Sequence, residues 1–396
     1  MSNNKFKVEF TLKQHTPIIH FQSDQVGATL RATELKPKFD RFLINYVCKN
    51  DKKQYQEYLI DKDKNALNYK VKIEQDISKR EEIPEKGTLF FGNMKPKDIT
   101  VQEWEKKKKR FKTNNSLFKI EFLSFDVKMK EVIEKYFEAF LANTNFGTRQ
   151  SKGYGSFYLI DKKTKQIIPF NKELIPYKVY SFKTNDWQYD IGLLYQFLRQ
   201  GINLPRSGNP FYTKPVIFAY AKSKNWQWDK KTIKQVYFNN QLENQLEEHT
   251  PSDILEYASN QKYLLRDIFG LSSSQEWKSY DKTIEKMGLK EEEKNGQKIV
   301  SIQRFKSPVI FKVVENVVYF WANNTVDEVL GEEFNIKAGK GNESLNLSFP
   351  KEFSFNDFFD FAFKKLNLST HIDSNFHDVN EYSTLVSIFE KIKVKK

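Results

Sequence analysis

Cysteine is almost absent from this sequence, and long apolar runs are missing. Cys48 is the single cysteine among 396 residues, which excludes a disulfide framework and a cysteine-based zinc site and is typical of a reducing cytoplasm. No stretch approaches the roughly 18 apolar residues of a membrane span, and residues 1–10 lack the apolar core of a signal peptide. We therefore expect a cytoplasmic protein that neither spans a membrane nor carries a standard export signal.

Acidic residues and arginine are both scarce relative to lysine. The 65 basic residues exceed the 51 acidic ones and give a formal charge of +14, a field that attracts polyanions. An AT-rich coding genome would explain abundant lysine, but it explains the excess of bases over acids less well. No basic amphipathic helix stands out, which favours nucleic acid over a membrane as the partner. Only nine basic residues are arginine, and several of these lie outside the lysine runs, where a guanidinium suits bidentate phosphate contacts.

Aromatic residues are abundant, with 35 Phe and 19 Tyr, so the chain can build two domains with apolar cores. Period-2 alternation predicts strands, and apolar spacing near 3.6 predicts helices. The first half reads as strand 5–12, a helix from about residue 29 that is bent or restarted near Pro37, strands 69–75 and 116–125, helix 129–141 and strand 158–160. This order is β-α-β-β-α-β, the ferredoxin-like arrangement, in which one sheet face stays open to nucleic acid. Residues 76–115 read as an insertion.

The second half repeats this style less clearly. Helices are predicted at 193–198, 254–269 and 355–366, strands at 216–220, 301–314 and 317–321, and polar loops at 290–298 and 331–346. The last two strands form a hairpin across Glu315 and Asn316. The predicted fold class is α+β, with two ferredoxin-like (RRM-like) β-α-β-β-α-β domains with insertions. Their expected bounds are residues 1–165 and residues 180–396, the second being the divergent copy.

The loop of residues 146–157, Phe-Gly-Thr-Arg-Gln-Ser-Lys-Gly-Tyr-Gly-Ser-Phe, is the most informative segment. Its glycines allow positive φ and close approach of another chain, and its two cations suit a sugar–phosphate backbone. It is neither a P-loop nor a dinucleotide fingerprint, because it follows a helix and opens a strand. The alternative is an ordinary helix-to-strand connection. We favour RNA contact, with these candidates: Gly147, Arg149, Lys152, Gly153, Tyr154 and Gly155.

A second candidate segment is residues 27–38, where Arg31 and Lys36 stand at a predicted helix start. Hydroxyls and cations in this position are typical of an anion site at a helix N-terminus. Ordinary helix capping is the alternative.

Together, Thr16-Pro17-Ile18-Ile19, the segment from Gly27 to Leu30-Arg31 and the glycine-rich loop resemble the RAMP superfamily of CRISPR-associated proteins. The second half adds Leu-Pro-Arg-Ser-Gly at 204–208 and Arg-Phe-Lys-Ser-Pro-Val-Ile at 304–310. The latter is similar to the second domain of the first subunit of the Cmr (type III-B) effector.

The resemblance implies a non-catalytic RNA-binding subunit of an antiviral ribonucleoprotein complex. Its partners would be guide (CRISPR) RNA, target RNA and other type III subunits, and the glycine-rich loop would contact the guide RNA. Cations directed at the backbone would hold RNA without reading its sequence. Besides the loop, the expected contacts are Arg31, Lys36, Arg206, Arg304 and Lys306. Tyr154 would stack on a base or belong to the core.

Catalysis is the alternative function. Some RAMP proteins are metal-independent nucleases that mature the guide, with a histidine as general acid or base on a ribose 2′-hydroxyl. His20 is the candidate here, and Asp24 is a second, as an RNA-cleaving carboxylate. His371 and His377 lack the spacing of helical metal ligands, so neither a metal nor a cofactor is expected. A third hypothesis is a protein–protein scaffold whose basic charge is incidental.

Overall fold

The computed structural model describes residues 6–20, 30–61, 64–83, 98–107, 110–230, 232–234, 236–238, 262–277, 282–288, 293–294, 297–298, 302, 304–339 and 344–394. The chain is a mixed α+β protein with two compact units. The first unit comprises Met1–Val179, Thr184–Tyr189 and Phe311–Tyr319. The second comprises Tyr180–Lys183, Asp190–Ile310 and Phe320–Lys396.

Up to residue 160, the elements build one four-stranded sheet and two long helices. They are β1 (Lys7–Gln14), α1 (Ala32–Phe42), α2 (Lys52–Tyr55), β2 (Leu59–Asp61), β3 (Lys64–Leu67), β4 (Lys70–Glu74), β5 (Arg80–Ile83), α3 (Val101–Lys107), β6 (Phe111–Asn114), β7 (Leu117–Leu123), α4 (Val127–Asn143) and β8 (Phe157–Ile160). The sheet has the strand order β4-β7-β1-β8, and every pair in it is antiparallel. Along the chain, its strands and long helices run β1-α1-β4-β7-α4-β8.

The core of the first unit lies between this sheet and helices α1 and α4. Phe122 of β7, Phe39 of α1 and Phe137 of α4 are fully buried, with ring centroids 5.1–5.7 Å apart in edge-on or T-shaped pairs. Each ring of this size contributes about 1.5–3 kcal/mol by leaving water. Helix α4 begins where the side chain of Asp126 accepts hydrogen bonds from the amides of Lys128 and Met129.

Helix α1 differs from its prediction in one respect. It runs without a break from Ala32 to Phe42 with Pro37 inside it, and a π-helical turn, Leu43–Val47, extends it. The predicted restart near Pro37 is wrong, because the buried Leu35 and Phe39 on either side anchor one continuous helix to the sheet.

The described part of the predicted insertion, residues 76–115, contains the antiparallel strand pair β5–β6. Strand β6 lies beside the exit of β1: the amide of Ile18 donates to the carbonyl of Lys112 at 3.0 Å, and the reverse bond is 2.9 Å. The insertion therefore helps to fix the segment that follows β1.

From residue 180 onward, two larger sheets and several short helices follow. The elements are β9 (Tyr180–Lys183), α5 (Trp187–Arg199), β10 (Ile202–Leu204), β11 (Phe211–Thr213), α6 (Val216–Ser223), β12 (Gln227–Trp228), β13 (Lys262–Tyr263), β14 (Leu271–Ser272), β15 (Ser274–Trp277), β16 (Lys282–Gly288), β17 (Glu293–Lys294), β18 (Gln297–Lys298), β19 (Arg304–Phe305), β20 (Val309–Val314), β21 (Val317–Ala322), β22 (Glu333–Ala338), β23 (Leu345–Ser348), α7 (Phe355–Asp360), α8 (Leu368–His371), α9 (Asn380–Lys391) and β24 (Lys393–Val394). One sheet has the order β12-β13-β23-β22-β16-β15, and the other β20-β21-β9-β24.

Four predictions for the second half are wrong where the structure describes them. The predicted loop of residues 290–298 holds the short antiparallel strands β17 and β18. Residues 216–220 form helix α6 rather than a strand, because Pro215 provides a helix start that needs no amide. Residues 262–269 hold strand β13 and a 3-10 turn that ends at Gly270; residues 254–261 lie outside the described part. Residues 331–346 hold β22, where Phe334 and Ile336 alternate toward the interior.

Other predictions for this half are confirmed. Residues 193–198 lie in α5, and residues 355–366 are helical through α7 and the π-turn Phe361–Lys365. Strands β20 and β21 form the predicted hairpin, with Glu315 in the left-handed region at φ 52°.

Candidate nucleic-acid interface

The glycine-rich loop is fastened to the chain segment that leaves β1. The amide of Gly155 donates to the carbonyl of Pro17 at 2.9 Å, and that of Thr148 donates to the carbonyl of Ile19 at 2.8 Å. Within the loop, the amide of Phe146 donates to the carbonyl of Gly155 at 2.9 Å, which closes its base. The loop is therefore a fixed part of the fold.

The glycines of this loop are required by their backbone conformation and by the close approach of neighbouring atoms. Gly147, Gly153 and Gly155 have φ values of 77°, 84° and 72°. A Cβ on Gly155 would lie 1.8 Å from the carbonyl oxygen of Phe146, and no real pair of atoms comes so close. The alternative of an ordinary connection explains one glycine after a helix, but it does not explain three left-handed glycines in nine residues.

The two loop cations differ in their environment. Arg149 is half-buried at φ 59°, a left-handed conformation that costs a non-glycine residue about 1–3 kcal/mol. It begins a turn that the amide of Lys152 closes by donating to the carbonyl of Arg149 at 2.8 Å. The ammonium of Lys152 lies 5.7 Å from the centre of the Phe311 ring. Arg149 thus opens the turn of residues 149–152, while the Nζ of Lys152 is buried and directed toward Phe311.

Tyr154 is a core residue in this structure. It is 4 % exposed, stacks on Phe111 with ring centroids 4.6 Å apart, and meets Trp187 edge-on at 4.9 Å. This geometry favours the second of the two predicted roles, and we do not retain base stacking by Tyr154.

The start of α1 joins the loop through a charged network. A guanidinium nitrogen of Arg31 lies 3.0 Å from Nδ1 of His20, and Glu34 Oε2 lies 3.8 Å from the same atom. The other carboxylate oxygen of Glu34 accepts from the amide of Gly147 at 2.8 Å and from Lys38 Nζ at 2.7 Å. Burial alone would raise the pKa of Glu34, but Lys38, the Gly147 amide and His20 together lower it. The carboxylate therefore stays ionised and holds the loop against α1.

Lys36 is engaged elsewhere in the first unit. Its Nζ donates to Asp40 at 2.7 Å and to the carbonyl of Leu67 at 2.9 Å, and it lies over the ring of Tyr69. We therefore do not retain Lys36 as a phosphate contact. Gly27 and Asp24 lie outside the described residues.

The candidates from the second half are exposed and lie in the second unit. Arg304 of β19 and Lys306, directly after this strand, are both exposed and flank the buried Phe305. Arg206 is about half exposed, and its guanidinium pairs at 2.9 Å with Glu381, which is buried.

The open face of the β4-β7-β1-β8 sheet carries alternating charges. Lys7 pairs with Glu9 at 2.7 Å and with Glu121 at 2.6 Å, while Lys119 reaches Glu9 at 3.3 Å. These carboxylates would repel phosphate, and β1 and β7 present no ring on this side for a base to stack on. The structure thus favours the loop over the sheet face as an RNA contact.

Two family models match the chain across nearly its whole length. The Cmr1 N-terminal domain matches residues 5–202, and the Cmr1 C-terminal domain matches residues 212–394. The chain belongs to the Cmr1 family. Membership makes it a Cmr1-like protein of type III-B CRISPR effectors, whose partners are other Cmr subunits. No curated protein matches the chain.

Two negative findings concern the described part of this Cmr1-family chain. None of its described helices is long and apolar enough to cross a membrane. Within the same residues, no group of three or more His, Cys, Asp or Glu side chains is arranged to hold a metal ion. Each of the C-terminal histidines instead contacts a backbone carbonyl, His371 that of Lys214 and His377 that of Ile372.

Two residues that support the glycine-rich loop of this Cmr1-family chain, Asn145 and Lys312, were not predicted from the sequence. Asn145 Nδ2 donates to the carbonyls of Gln150, at 2.7 Å, and Phe311, at 2.8 Å. Lys312 is buried, and its Nζ donates to the carbonyl of Leu141 at 2.8 Å. The available signal was the sequence Val-Ile-Phe-Lys-Val-Val, in which one lysine interrupts an apolar strand.

Proposed function

We propose that this Cmr1-family chain is a non-catalytic RNA-binding subunit of a type III-B effector complex, acting in the cytoplasm. It contacts guide RNA, or the guide–target duplex, through cations directed at the sugar–phosphate backbone. The main support is Arg149, held in a left-handed conformation at the start of the 149–152 turn, in a loop whose base is closed by hydrogen bonds. A strained residue on a rigid frame is typical of a functional contact.

The composition of the loop favours the RNA backbone over the bases. Residues 147–152 are half-buried and contribute amides and cations, whereas the aromatic residues of the loop, Phe146, Tyr154 and Phe157, are buried in the protein. Cations and amides position a phosphate chain without reading sequence. This suits a subunit of a complex in which base pairing with the guide supplies the specificity.

We also propose a ferredoxin-like fold for each half, with domain bounds at residues 1–165 and 180–396. In the first half, the antiparallel order β4-β7-β1-β8 with α1 and α4 between its strands supports this. The second half contributes four strands that are, in chain order, β9, β20, β21 and β24. Their order in the sheet, β20-β21-β9-β24, is second-third-first-fourth, which is also the order in the sheet of the first half. The exposed Arg304, Lys306 and Arg206 would supply the phosphate contacts of this domain.

The rival function, an endoribonuclease using His20, has less support from the geometry. The His20 side chain is about 10 % exposed, and its Nδ1 faces Arg31 and Glu34. An imidazole held in this way links the segment that follows β1 to α1. Little of its surface is exposed, so it is poorly placed to contact a ribose 2′-hydroxyl.

The test is charge reversal of Arg149, with a matched control. Arg149→Glu should weaken binding of a fluorescein-labelled poly(U) oligonucleotide by at least about tenfold and reduce the salt slope of log Kd by about one. Lys128→Glu makes the same change in net charge at the opposite end of α4, about 25 Å away, and should leave both values unchanged. We choose Arg149 alone because Lys152 also contacts Phe311.

Three outcomes separate the hypotheses. Equal binding by wild type and Arg149→Glu would refute RNA contact by the loop. Binding that is weak and insensitive to salt in wild type would support a protein–protein scaffold. Cleavage of a CRISPR-repeat RNA in EDTA that disappears in His20→Ala would establish the endoribonuclease.

A further inference from the structure

The back of the glycine-rich loop rests on a strand from far along the chain. The amide of Phe311 donates to the carbonyl of Ser151 at 3.1 Å, and Asn145 Nδ2 returns a bond to the carbonyl of Phe311 at 2.8 Å. Lys152 and Phe311 also form a parallel β-bridge. The loop is thus joined at Ser151 and Lys152 to Phe311, the first residue of the segment Phe311–Tyr319, which belongs to the same compact unit.

Lys312 extends this support to the end of α4. Its buried Nζ donates to the carbonyls of Leu141, at 2.8 Å, and Thr144, at 3.0 Å. Carbonyls in the last turn of a helix lack the amide four residues ahead as a partner. Here Lys312 satisfies the carbonyl of Thr144 and adds to the long 3.4 Å bond that the carbonyl of Leu141 accepts from the Thr144 amide. The loop begins two residues after Thr144, so Lys312 fixes the point from which it departs.

We infer that Phe311–Tyr319 positions the RNA-binding loop, with Lys312 and Asn145 as its positioning residues. This rests on the function proposed above. The segment lies in the range matched by the Cmr1 C-terminal domain, yet it braces a loop in the range matched by the N-terminal domain. RNA retention by the loop consequently depends on residues that do not touch RNA.

The chemistry of Lys312 makes the brace sensitive to pH. Burial lowers the pKa of Lys312 to about 7. A neutral amine has two N–H donors, which equal the two carbonyl acceptors, whereas an ammonium has a third proton to satisfy. The groups facing this site from neighbouring elements are His15, Tyr158, Glu138 and Glu315.

The sign of the pH dependence follows from linkage. The amine has a lowered pKa in the braced state and its ordinary value once exposed, so protons favour opening. The brace should tighten as pH rises above about 7. Burial and nearby lysines lower the pKa of His15 to about 4, and burial raises that of Tyr158 to about 12, so neither titrates in this window.

The experiment compares Lys312→Met with Lys312→Gln in the full chain. Methionine removes every donor, whereas the glutamine amide keeps two N–H groups and carries no charge. Hydrogen exchange at the amides of Phe146, Thr148 and Gly155 reports on the loop without RNA. Lys128→Met is the control, because it removes one lysine at the far end of α4.

We expect Lys312→Met to accelerate exchange at these amides relative to β7 and to weaken poly(U) binding about tenfold. Lys312→Gln should retain most of both properties. Relative to Lys312→Gln, protection of the wild-type loop should rise with pH between 7 and 9, by up to about tenfold per unit. A global loss of stability would instead accelerate exchange in β7 equally and leave no difference in pH profile.

Unchanged loop exchange in Lys312→Met would overturn the inference. So would faster exchange with unaltered poly(U) binding in a protein where Arg149→Glu does weaken binding. If Arg149→Glu has no effect, the proposed function fails, and exchange alone then decides whether the strand braces the loop.

Discussion

Replacing Gly155 by alanine should be the most damaging small change in the loop. At φ 72° an alanine bears about 1–2 kcal/mol of left-handed strain. Its Cβ would lie 1.8 Å from the carbonyl oxygen of Phe146, so the two backbones must separate. Separation weakens the bond from the Phe146 amide to Gly155 and the bond from the Gly155 amide to Pro17. Each buried bond lost costs about 1–3 kcal/mol, and we expect a total of about 3–8 kcal/mol.

Gly208→Ala is the matched control, because it introduces the backbone strain of a left-handed alanine without a steric clash. Gly208 has a similar φ of 79°, but a Cβ there would meet nothing within 4 Å. This variant should cost only about 1–2 kcal/mol. Urea unfolding, followed by far-UV circular dichroism and tryptophan fluorescence, gives each cost from the transition that the variant shifts, since the two units can unfold separately. Equal costs for the two variants would refute the close approach of Gly155 to Phe146.

Three further changes test other parts of the chain. Lys286→Met should lower the free energy of unfolding by about 3–5 kcal/mol, because it removes the ion-pair partner of the buried Asp267. Asp267→Leu in the same chain should recover most of the lost thermal stability. Glu34→Gln should destabilise the protein at neutral pH, and since the fold lowers the pKa of Glu34, the difference from wild type in urea titrations should vanish as pH falls below about 4.5. Asp126→Ala should cost about 1 kcal/mol in the same assay, because it removes the cap of α4.

Local pattern predicts the sheet of the first unit well. In β1, β4 and β7, apolar side chains on the core side alternate with mostly charged ones on the open side, and α4 repeats its apolar residues at helical spacing, so each segment carries its own signal. The misread segments lack such a signal. Residues 216–220 are apolar throughout, so only the preceding Pro215 separates a helix from a strand there.

The support of the candidate site could not be predicted in this way, because it depends on contacts between distant segments. The bond that Lys312 donates to the carbonyl of Leu141 spans 171 residues, and the bond that Asn145 donates to the carbonyl of Phe311 spans 166. The bond that the Gly147 amide donates to Glu34 spans 113. The spacing of the glycines revealed the loop, because a positive φ is a property of the local backbone that the local sequence encodes. The sequence around Lys312, in contrast, does not show which helix its side chain contacts.

The net charge of +14 does not by itself decide which surface binds RNA. On the open sheet face, Lys7 and Lys119 are each paired with a glutamate, so bringing a phosphate there would mean breaking those pairs beside the carboxylates left behind. At the loop, the acid Glu34 is itself engaged, since its Oε1 accepts from the Gly147 amide and from Lys38. We therefore expect Lys7→Glu and Lys119→Glu to change poly(U) binding less than Arg149→Glu does, because a phosphate at either lysine would meet the neighbouring carboxylates.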